Sequence, residues 1–489
     1  MTDTQGTRLP IKLDSTSNGE FAPIPLEAAL RKARDQAHET ATRLARYTGQ
    51  SRRSFLVSSC GAASTLLTLN AVHAAAGRAG GFFEISRDAA VDEQLAAAEL
   101  GKREFIFDVQ GHFVNPHGAW LKGVPAEATP LKQMPKAACA LASEPGSRSY
   151  LRCLGSEEFV KDVFMDSDTD MMVLSFVPST RAGEPLTIEE AAATRDIVER
   201  LEGSHRLMLH GRVNPNQPGD IEDMDRLAQH GVVAWKTYTQ YGPEGKGFWM
   251  TDDAGIAFVE KARKLGIRNI CIHKGIPFGR RSYEHSTCRD IGPIAKRFPD
   301  VNFPIYHSGW VPDGPPEGPH DPKRIDGIDA LVTSLRESGV ARNANVYAEL
   351  GSTWRFLSTR RPDEAAHSLG KLFLAVGENN VLWGTDSIWY GSPQDQIQAF
   401  RTFQIAEPLR EAHGYPQMTD RLRQKVFAHN AAKPYGLRIE DLQHKGTNDA
   451  VARRRTAYLE RPDPSFRTYG PRTRREFLNL LRHNGGQRA

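Results

Sequence analysis

The sequence predicts an α/β chain organised as a (β/α)8 TIM barrel, with an N-terminal extension and a basic C-terminal tail. Three observations carry this expectation. Four short apolar runs each end in a metal-binding or proton-accepting residue: Phe105-Ile106-Phe107-Asp108-Val109-Gln110-Gly111-His112, Ile270-Cys271-Ile272-His273, Ile305-Tyr306-His307 and Val381-Leu382-Trp383-Gly384-Thr385-Asp386. Strand-like and helix-like segments alternate between these runs. The steps from His112 to His273, to His307 and to Asp386 are 161, 34 and 79 residues, each long enough for one or more strand-helix units and too long for a compact zinc finger. A parallel strand buried on both faces reads as a short apolar run, and in a barrel the chemistry gathers where such strands end.

Taken in order, the strands are expected at 105–114, 170–178, 206–214, 231–239, 269–275, 302–309, 345–354 and 381–389. Helices fit between them. The segment 187–202 opens with Thr187 and Glu190 at capping-box spacing, and 253–265 and 325–338 carry apolar residues at helical spacing. Alternating strands and helices argue a parallel sheet. An open, doubly wound sheet is the competitor, but functional-looking strand ends spread around the whole series favour closure.

The pieces in this order resemble the amidohydrolase superfamily, in particular its amidohydrolase-related branch of metal-dependent hydrolases and non-oxidative decarboxylases. The matching segments are Asp108-Val109-Gln110-Gly111-His112, His273-Lys274-Gly275, Tyr306-His307-Ser308-Gly309, Trp383-Gly384-Thr385-Asp386-Ser387 and Asn430-Ala431-Ala432-Lys433-Pro434-Tyr435-Gly436-Leu437. The resemblance implies that His112 and His273 ligate one divalent ion. Asp386 would ligate it too while taking a proton from bound water, and His307 would act as a second base or a ligand to a second metal. Imidazole and carboxylate suit zinc first, with manganese and iron as alternatives.

One position departs from the pattern. The family's first strand carries His-x-His or an acidic residue in the first place, and here that place is Gln110. Strand period puts Gln110 and His112 on one face. The Gln amide oxygen is a neutral, weaker donor, so the expectation is either reduced metal affinity or a Gln110 that only hydrogen-bonds bound water. Lys236 ends the fourth strand, where binuclear members carry a carboxylated lysine that bridges two metals. The plainer alternative is an ammonium that holds a substrate carboxylate or pairs with Glu349.

Other strand-end residues divide between roles. His205 and His210 are expected to be structural. Glu349, ending the seventh strand, is a substrate-binding candidate weighed against a structural ion pair. Arg280 and Arg281 follow the His273 strand on a loop suited to gripping a carboxylate. Trp310, Trp354 and Trp389 are candidates to line an apolar pocket or to pack under loops.

Composition fits a large enzyme. The chain has 489 residues, 39% of them hydrophobic, and a mean hydropathy of −0.49. A net charge of +4 is too small to argue a nucleic-acid partner. The barrel is expected over 100–440. The segment from 441 onward reads as a basic tail: 445–489 holds eleven Lys/Arg against four Asp/Glu and is expected to extend from the barrel, wrapping a neighbouring subunit in a homodimer, with a solvated charged surface as the alternative.

The leader 1–50 is expected to be disordered. Ser51-Arg52-Arg53-Ser54-Phe55-Leu56, an apolar stretch and Ala74-Ala75-Ala76 resemble a twin-arginine export signal over 51–76, which implies a periplasmic enzyme. A cytoplasmic location is the alternative, because fifty residues precede the signal and Arg474-Arg475-Glu476-Phe477-Leu478 repeats its core. The stretch Phe55–Ala76 is too polar for a stable membrane span. The five cysteines lack close CxxC spacing and allow up to two disulfides.

The reading is a metal-dependent hydrolase acting through metal-activated water on a small organic substrate bearing a carboxylate or carbonyl. A metal-dependent non-oxidative decarboxylase is the alternative. A barrel that has lost chemistry and binds a ligand or partner is the third reading, prompted by Gln110.

Overall fold

The structure is a computed structural model that describes residues 6–101, 104–123, 153–179, 181–202, 206–277, 283–446 and 449–483. Ten strands are described: β1 (Gly81–Phe83), β2 (Phe107–Gly111), β3 (Met171–Leu174), β4 (Leu207–Arg212), β5 (Ala234–Tyr238), β6 (Ile270–His273), β7 (Phe303–Tyr306), β8 (Val346–Glu349), β9 (Val381–Leu382) and β10 (Phe403–Ile405). Strands β2 to β9 form one sheet in sequence order, every neighbouring pair parallel.

The sheet closes on itself. Beyond the end of β9, Val109 N–H donates to the Trp383 carbonyl at 3.0 Å and Asp386 N–H donates to the Gln110 carbonyl at 3.0 Å, while Gly111 bridges Ser387 in parallel. This closure excludes the doubly wound alternative. All eight expected strands are present at their expected places, and the (β/α)8 barrel is the fold. The strands are short and buried along their length, β4 with one half-buried position, because helices cover the outside and side chains fill the inside.

The lower interior holds Phe107, Val109, Met171, Val173, Cys271, Tyr306, Tyr347 and Leu382, plugged from below by Ala428, Ala431 and Tyr435. On β2 the pairing register shifts between Asp108 and Gly111. That irregularity changes the inward series from Phe107 and Val109 in the apolar layer to Gln110 and His112 in the polar layer above.

The outer helices follow from local sequence. Ile188–Glu202 starts with the expected reciprocal cap: Glu190 N–H donates to Thr187 Oγ1 at 3.3 Å, and Thr187 N–H donates to Glu190 Oε2 at 2.9 Å. Asp253–Lys264 and Gly327–Glu337 occupy the other two expected helical spans.

The two ends of the chain depart from expectation. The leader, expected to lack structure, runs as an extended strap and then a helix, Ala28–Tyr47, that buries Leu30, Ala33, Ala37, Ala41 and Leu44 on one face. Its repeat of small apolar residues at spacings of three and four lets it pack closely against helix Ser59–Ala75, whose Cys60, Ala62, Ala63, Leu66 and Leu69 are buried. The basic tail does not extend away either. Helix Ala450–Glu460 packs on its own barrel through buried ion pairs of both senses: its Arg455 pairs with Asp168 at 2.5 Å, and Asp449 at the helix start pairs with the barrel's Arg206 at 2.6 Å.

Cys60, Cys271 and Cys288 are free thiols, so at most one of the two disulfides allowed by composition can form. Among the described residues no helix is long and apolar enough to cross a membrane.

Candidate metal centre

The polar layer sits at the C-terminal rim of the barrel, and Asp386 is its hub. Its Oδ1 lies 3.1 Å from His112 Nε2 and accepts from Gln110 Nε2 at 3.1 Å. Its Oδ2 accepts from Ser352 Oγ and, at 3.1 Å, from Asn18 Nδ2. Burial pushes the Asp386 carboxyl up, but the hydrogen bond and charge of His112, with His307 and Ser352, outweigh it and hold the group below the usual carboxylate range. Asp386 is therefore an anion.

A second group of donors faces it. The rings of His273 and His307 meet edge to face at 4.5 Å between centroids. Each ring has one nitrogen on a backbone carbonyl: His307 Nδ1 on Gly351 at 2.7 Å, and His273 Nε2 on Ile276 at 3.3 Å. Those contacts place the proton on the carbonyl side and leave the opposite nitrogen with its lone pair. Burial pushes His307 down to about 4 and His273 well below the ordinary histidine value, so both rings are neutral at neutral pH. One ligand atom from each, together with a Glu20 carboxylate oxygen, lie within 4.8 Å of one another.

Donor atoms about 2.0–2.2 Å from an ion stand at most about 4.4 Å apart, so small adjustments bring these three onto one cation. Neutral imidazoles with oriented lone pairs and adjacent carboxylates are a donor set that fits a divalent ion.

The backbone here is unusual. Asp386, His307, Ser308 and Ser352 have φ of 57°, 63°, 52° and 56°. Left-handed backbone at non-glycine residues costs on the order of 1–3 kcal/mol each and persists where the surroundings enforce it. Glu349 is part of that enforcement: its Oε2 accepts from His307 N–H at 3.0 Å and its Oε1 from Gly351 N–H at 2.6 Å. Asp108 does the same for the opposite wall, accepting from Gln110 N–H at 2.9 Å and Thr385 N–H at 3.2 Å. Burial raises Glu349 to about 8 and Asp108 to about 7.

Of the residues singled out in the sequence, Gln110, His112, His273, His307, Lys236, Glu349 and Asp386 all come together in this layer, each nearly or fully buried. Gln110 turns its amide nitrogen to Asp386, and its Oε1 has no hydrogen-bond partner. Lys236 does not pair with Glu349. Its Nζ makes no hydrogen bond and lies over the Tyr306 ring at 3.8 Å and the Tyr238 ring at 4.7 Å, and burial lowers it to about 8.

His210 lies with Tyr306, Cys271 and Tyr435. Trp389 stacks on His112 at 5.9 Å, whereas Trp354 packs on Phe400 and Phe403 and Trp310 on Phe356. Arg280, Arg281 and His205 lie outside the described residues.

Sequence reasoning missed Asn18, Glu20, Ser352 and Tyr390. Asn18 Nδ2 donates to Glu20 Oε2 at 2.5 Å as well as to Asp386, and Ser352 Oγ is 2.7 Å from Tyr390 OH. Burial, then the charge of Asp386, raises Glu20 to about 8. No local signal marks Asn18 or Glu20, because the strap carries no periodicity.

Three solved structures with similar folds are a 5-carboxyvanillate decarboxylase from Novosphingobium aromaticivorans complexed with manganese and 4-hydroxy-3-methoxy-5-nitrobenzoic acid (14% identity, 70% of this chain and 97% of that one, TM-score 0.44), a probable 2-pyrone-4,6-dicarboxylic acid hydrolase from Acinetobacter baumannii with citric acid bound (12%, 68% and 99%, 0.42) and a 2,6-dihydroxybenzoate decarboxylase from Rhizobium (14%, 68% and 99%, 0.39). No curated protein matches the chain. The family model described as amidohydrolase matches residues 161–437, from the segment before β3 to the helical plug under the barrel. With more than half of its length under that match, the chain belongs to the amidohydrolase family.

Proposed function

We propose that the protein is a metal-dependent hydrolase acting on a small organic substrate that carries a carbonyl and a carboxylate. The observation that carries this reading is the pair His273 and His307, each held through one nitrogen by a backbone carbonyl and offering the other toward carboxylate oxygens. His112, His273 and Asp386 would hold one divalent ion, with His307, whose free nitrogen groups with that of His273, as a further donor; zinc is the first candidate and manganese or iron the alternatives. When bound, such an ion lowers the pKa of coordinated water from about 15.7 toward about 7 and polarises a substrate oxygen.

The chain's own residues supply the proton handling. Asp386, an anion with Ser352 and Gln110 fixing its orientation, accepts the proton of the attacking water. His307 is poorly suited to protonate a developing oxyanion, since burial keeps it neutral with its one proton on Gly351. Asp386, once protonated, is the better donor to the leaving group. The Lys236 ammonium, without a hydrogen bond and lined by Tyr238 and Tyr306, would anchor a substrate carboxylate.

Lys236 also favours a second reading. A buried cation whose ammonium makes no ion pair with a protein carboxylate suits an enzyme whose substrate brings its own, as a non-oxidative decarboxylase requires. The experiment that tests both begins with metal content per chain after purification without chelator, alongside a His273→Ala control. About one ion, lost in the control, supports the metal-dependent readings, and about two would promote Lys236 to a bridging role. No ion even after loading would sink them and leave a ligand-binding barrel. Loaded protein is then screened against esters, lactones and amides for hydrolysis and against aromatic and enoic acids for carbon dioxide release.

Export to the periplasm through the twin-arginine route is a separate proposal, supported by the Ser51–Leu56 pattern and the apolar helix behind it. It must accommodate two facts. Arg52 is bound to the Gly6 carbonyl, Thr42 and His38, with Arg53 on Asp463, and cleavage near Ala76 would remove Asn18 and Glu20 from the site. Mass spectrometry of cell fractions tests it: periplasmic protein supports export, and intact chain confined to the cytoplasm ends the proposal.

A further inference from the structure

Barrel strand β2 brings His112 and the neutral amide of Gln110 to the site, and that amide presents its nitrogen to Asp386 at 3.1 Å. The one carboxylate on β2, Asp108, is taken up by the Gln110 and Thr385 backbone and the Thr385 hydroxyl, so the wall formed by β2 offers no free negative donor. A dication in a buried layer needs compensating negative charge close by, and Asp386 supplies one. Glu349 is committed elsewhere, with its oxygens accepting from the His307 and Gly351 backbone. Glu20 is the remaining carboxylate, its Oε1 3.9 Å from His273 Nδ1 and its side chain 15% exposed.

We propose that Glu20, carried on the N-terminal strap, is a carboxylate ligand of the site's divalent cation, releasing its proton to solvent as the cation binds, and provides from outside the barrel the donor that Gln110 does not. The proposal rests on the metal-dependent reading above. Its geometry is the Glu20, His273 and His307 set, with ligand atoms within 4.8 Å of one another, to which Asn18 ties Asp386 by donating to both carboxylates.

The strap is fastened on both sides of this point. Upstream, Lys12 pairs with Asp395 at 3.0 Å and Asp14 with Arg355 at 3.3 Å, Thr16 Oγ1 donates to Thr468 Oγ1 at 2.7 Å, and Ser17 N–H donates to the Pro471 carbonyl at 2.9 Å. Downstream, Phe21 packs edge to face on Phe356 at 5.0 Å. Gly19, with φ of 93°, makes the turn between them. A segment held at five places within ten residues presents a ligand in a fixed position rather than a drifting acid.

The test uses the full chain and compares wild type with Glu20→Gln, a change of charge at nearly constant shape. Zinc and manganese affinities are read by competition with a chromophoric chelator, and apo-protein melting reports folding. The expected result is zinc binding weakened by about tenfold or more in Glu20→Gln, and recovered when Gln110→Glu is added to restore a carboxylate on the β2 wall. Unchanged affinity in Glu20→Gln overturns the role of Glu20 while leaving the metal site standing. A loss that Gln110→Glu does not recover and that accompanies a lower apo melting temperature marks a structural role, and also overturns it. If neither wild type nor variant binds either metal, the metal-dependent reading fails and this proposal fails with it.

Discussion

His112 and Asp386 stand 274 residues apart, beyond the C-terminal ends of the first and last barrel strands, yet His112 Nε2 lies 3.1 Å from Asp386 Oδ1. The seam where the sheet closes is therefore also the place where the imidazole and the carboxylate meet. Closure by the Asp386 N–H to Gln110 carbonyl bond fixes both strands in the register that makes the contact. Barrel integrity and site geometry are coupled at that seam.

Replacing the hub tests that coupling. Asp386→Asn keeps the shape but removes the proposed proton acceptor, and turnover is expected to fall by about 10²–10⁴. Steady-state rates on whichever substrate the screen identifies, with circular dichroism to confirm the fold, would show it. Activity within threefold of wild type would contradict the assignment.

Gly384 has a steric role. A Cβ there would lie 1.7 Å from Glu349 Oε1, and the Glu349 carboxylate would have to leave its seat on the His307 and Gly351 backbone. Gly384→Ala is expected to cost about 1–3 kcal/mol, the usual range for overpacking. Urea unfolding measures it, and metal affinity should fall in parallel because His307 loses its support.

The anchor of helix Ala450–Glu460 is ionic. Burial would raise Asp168, but Arg401 at 2.6 Å and Arg455 at 2.5 Å, with Gln394, outweigh it and hold the carboxyl well below the usual range. A depressed carboxylate contributes stability that is present above its unfolded pKa of about 3.9 and is lost as pH falls below that value. Asp168→Asn leaves two guanidinium groups short of a buried partner and is expected to cost about 3–5 kcal/mol at pH 7. The difference from wild type, read from denaturant midpoints, should shrink as the pH falls below 4.

The buried histidines set a pH window of their own. Burial lowers His307 to about 4 and His273 and His210 well below their ordinary value. As pH falls from about 6.5 toward 4, the unfolded chain takes up protons that the folded chain refuses, so stability declines over that interval. Unfolding free energies at pH 7, 5.5 and 4.5 should show the decline, and His273→Gln should flatten it. A slope unchanged by the substitution would place the titration elsewhere. Metal should be retained at pH 6 and released as the pH approaches 4.

Much of the site was legible because barrel strands are short and fully buried, so an apolar run ending in His or Asp marks a rim position without reference to the rest of the chain. His112, His273, His307 and Asp386 were found in that way, as was Glu349 at the end of β8; Lys236, expected at a strand end, lies in the middle of β5. Their partners were not. The tie between Glu349 and the His307 backbone depends on positive φ at His307, and the stacking of Tyr306 on Lys236 depends on the register of β5 through β7; neither leaves a trace in local pattern.

The alternation of strands and helices and the residues that line the rim follow from local sequence, since burial and periodicity are properties that each segment carries wherever it sits. What covers that rim follows from long-range packing alone. The strap from Lys12 to Phe21 has no amphipathic repeat, and it is held by single contacts to Asp395, Arg355, Thr468, Pro471 and Phe356, hundreds of residues away. Its position, and with it the placing of Asn18 and Glu20 against Asp386 and His273, arises from long-range pairing energies that exist only once the barrel has closed and its C-terminal segment has packed.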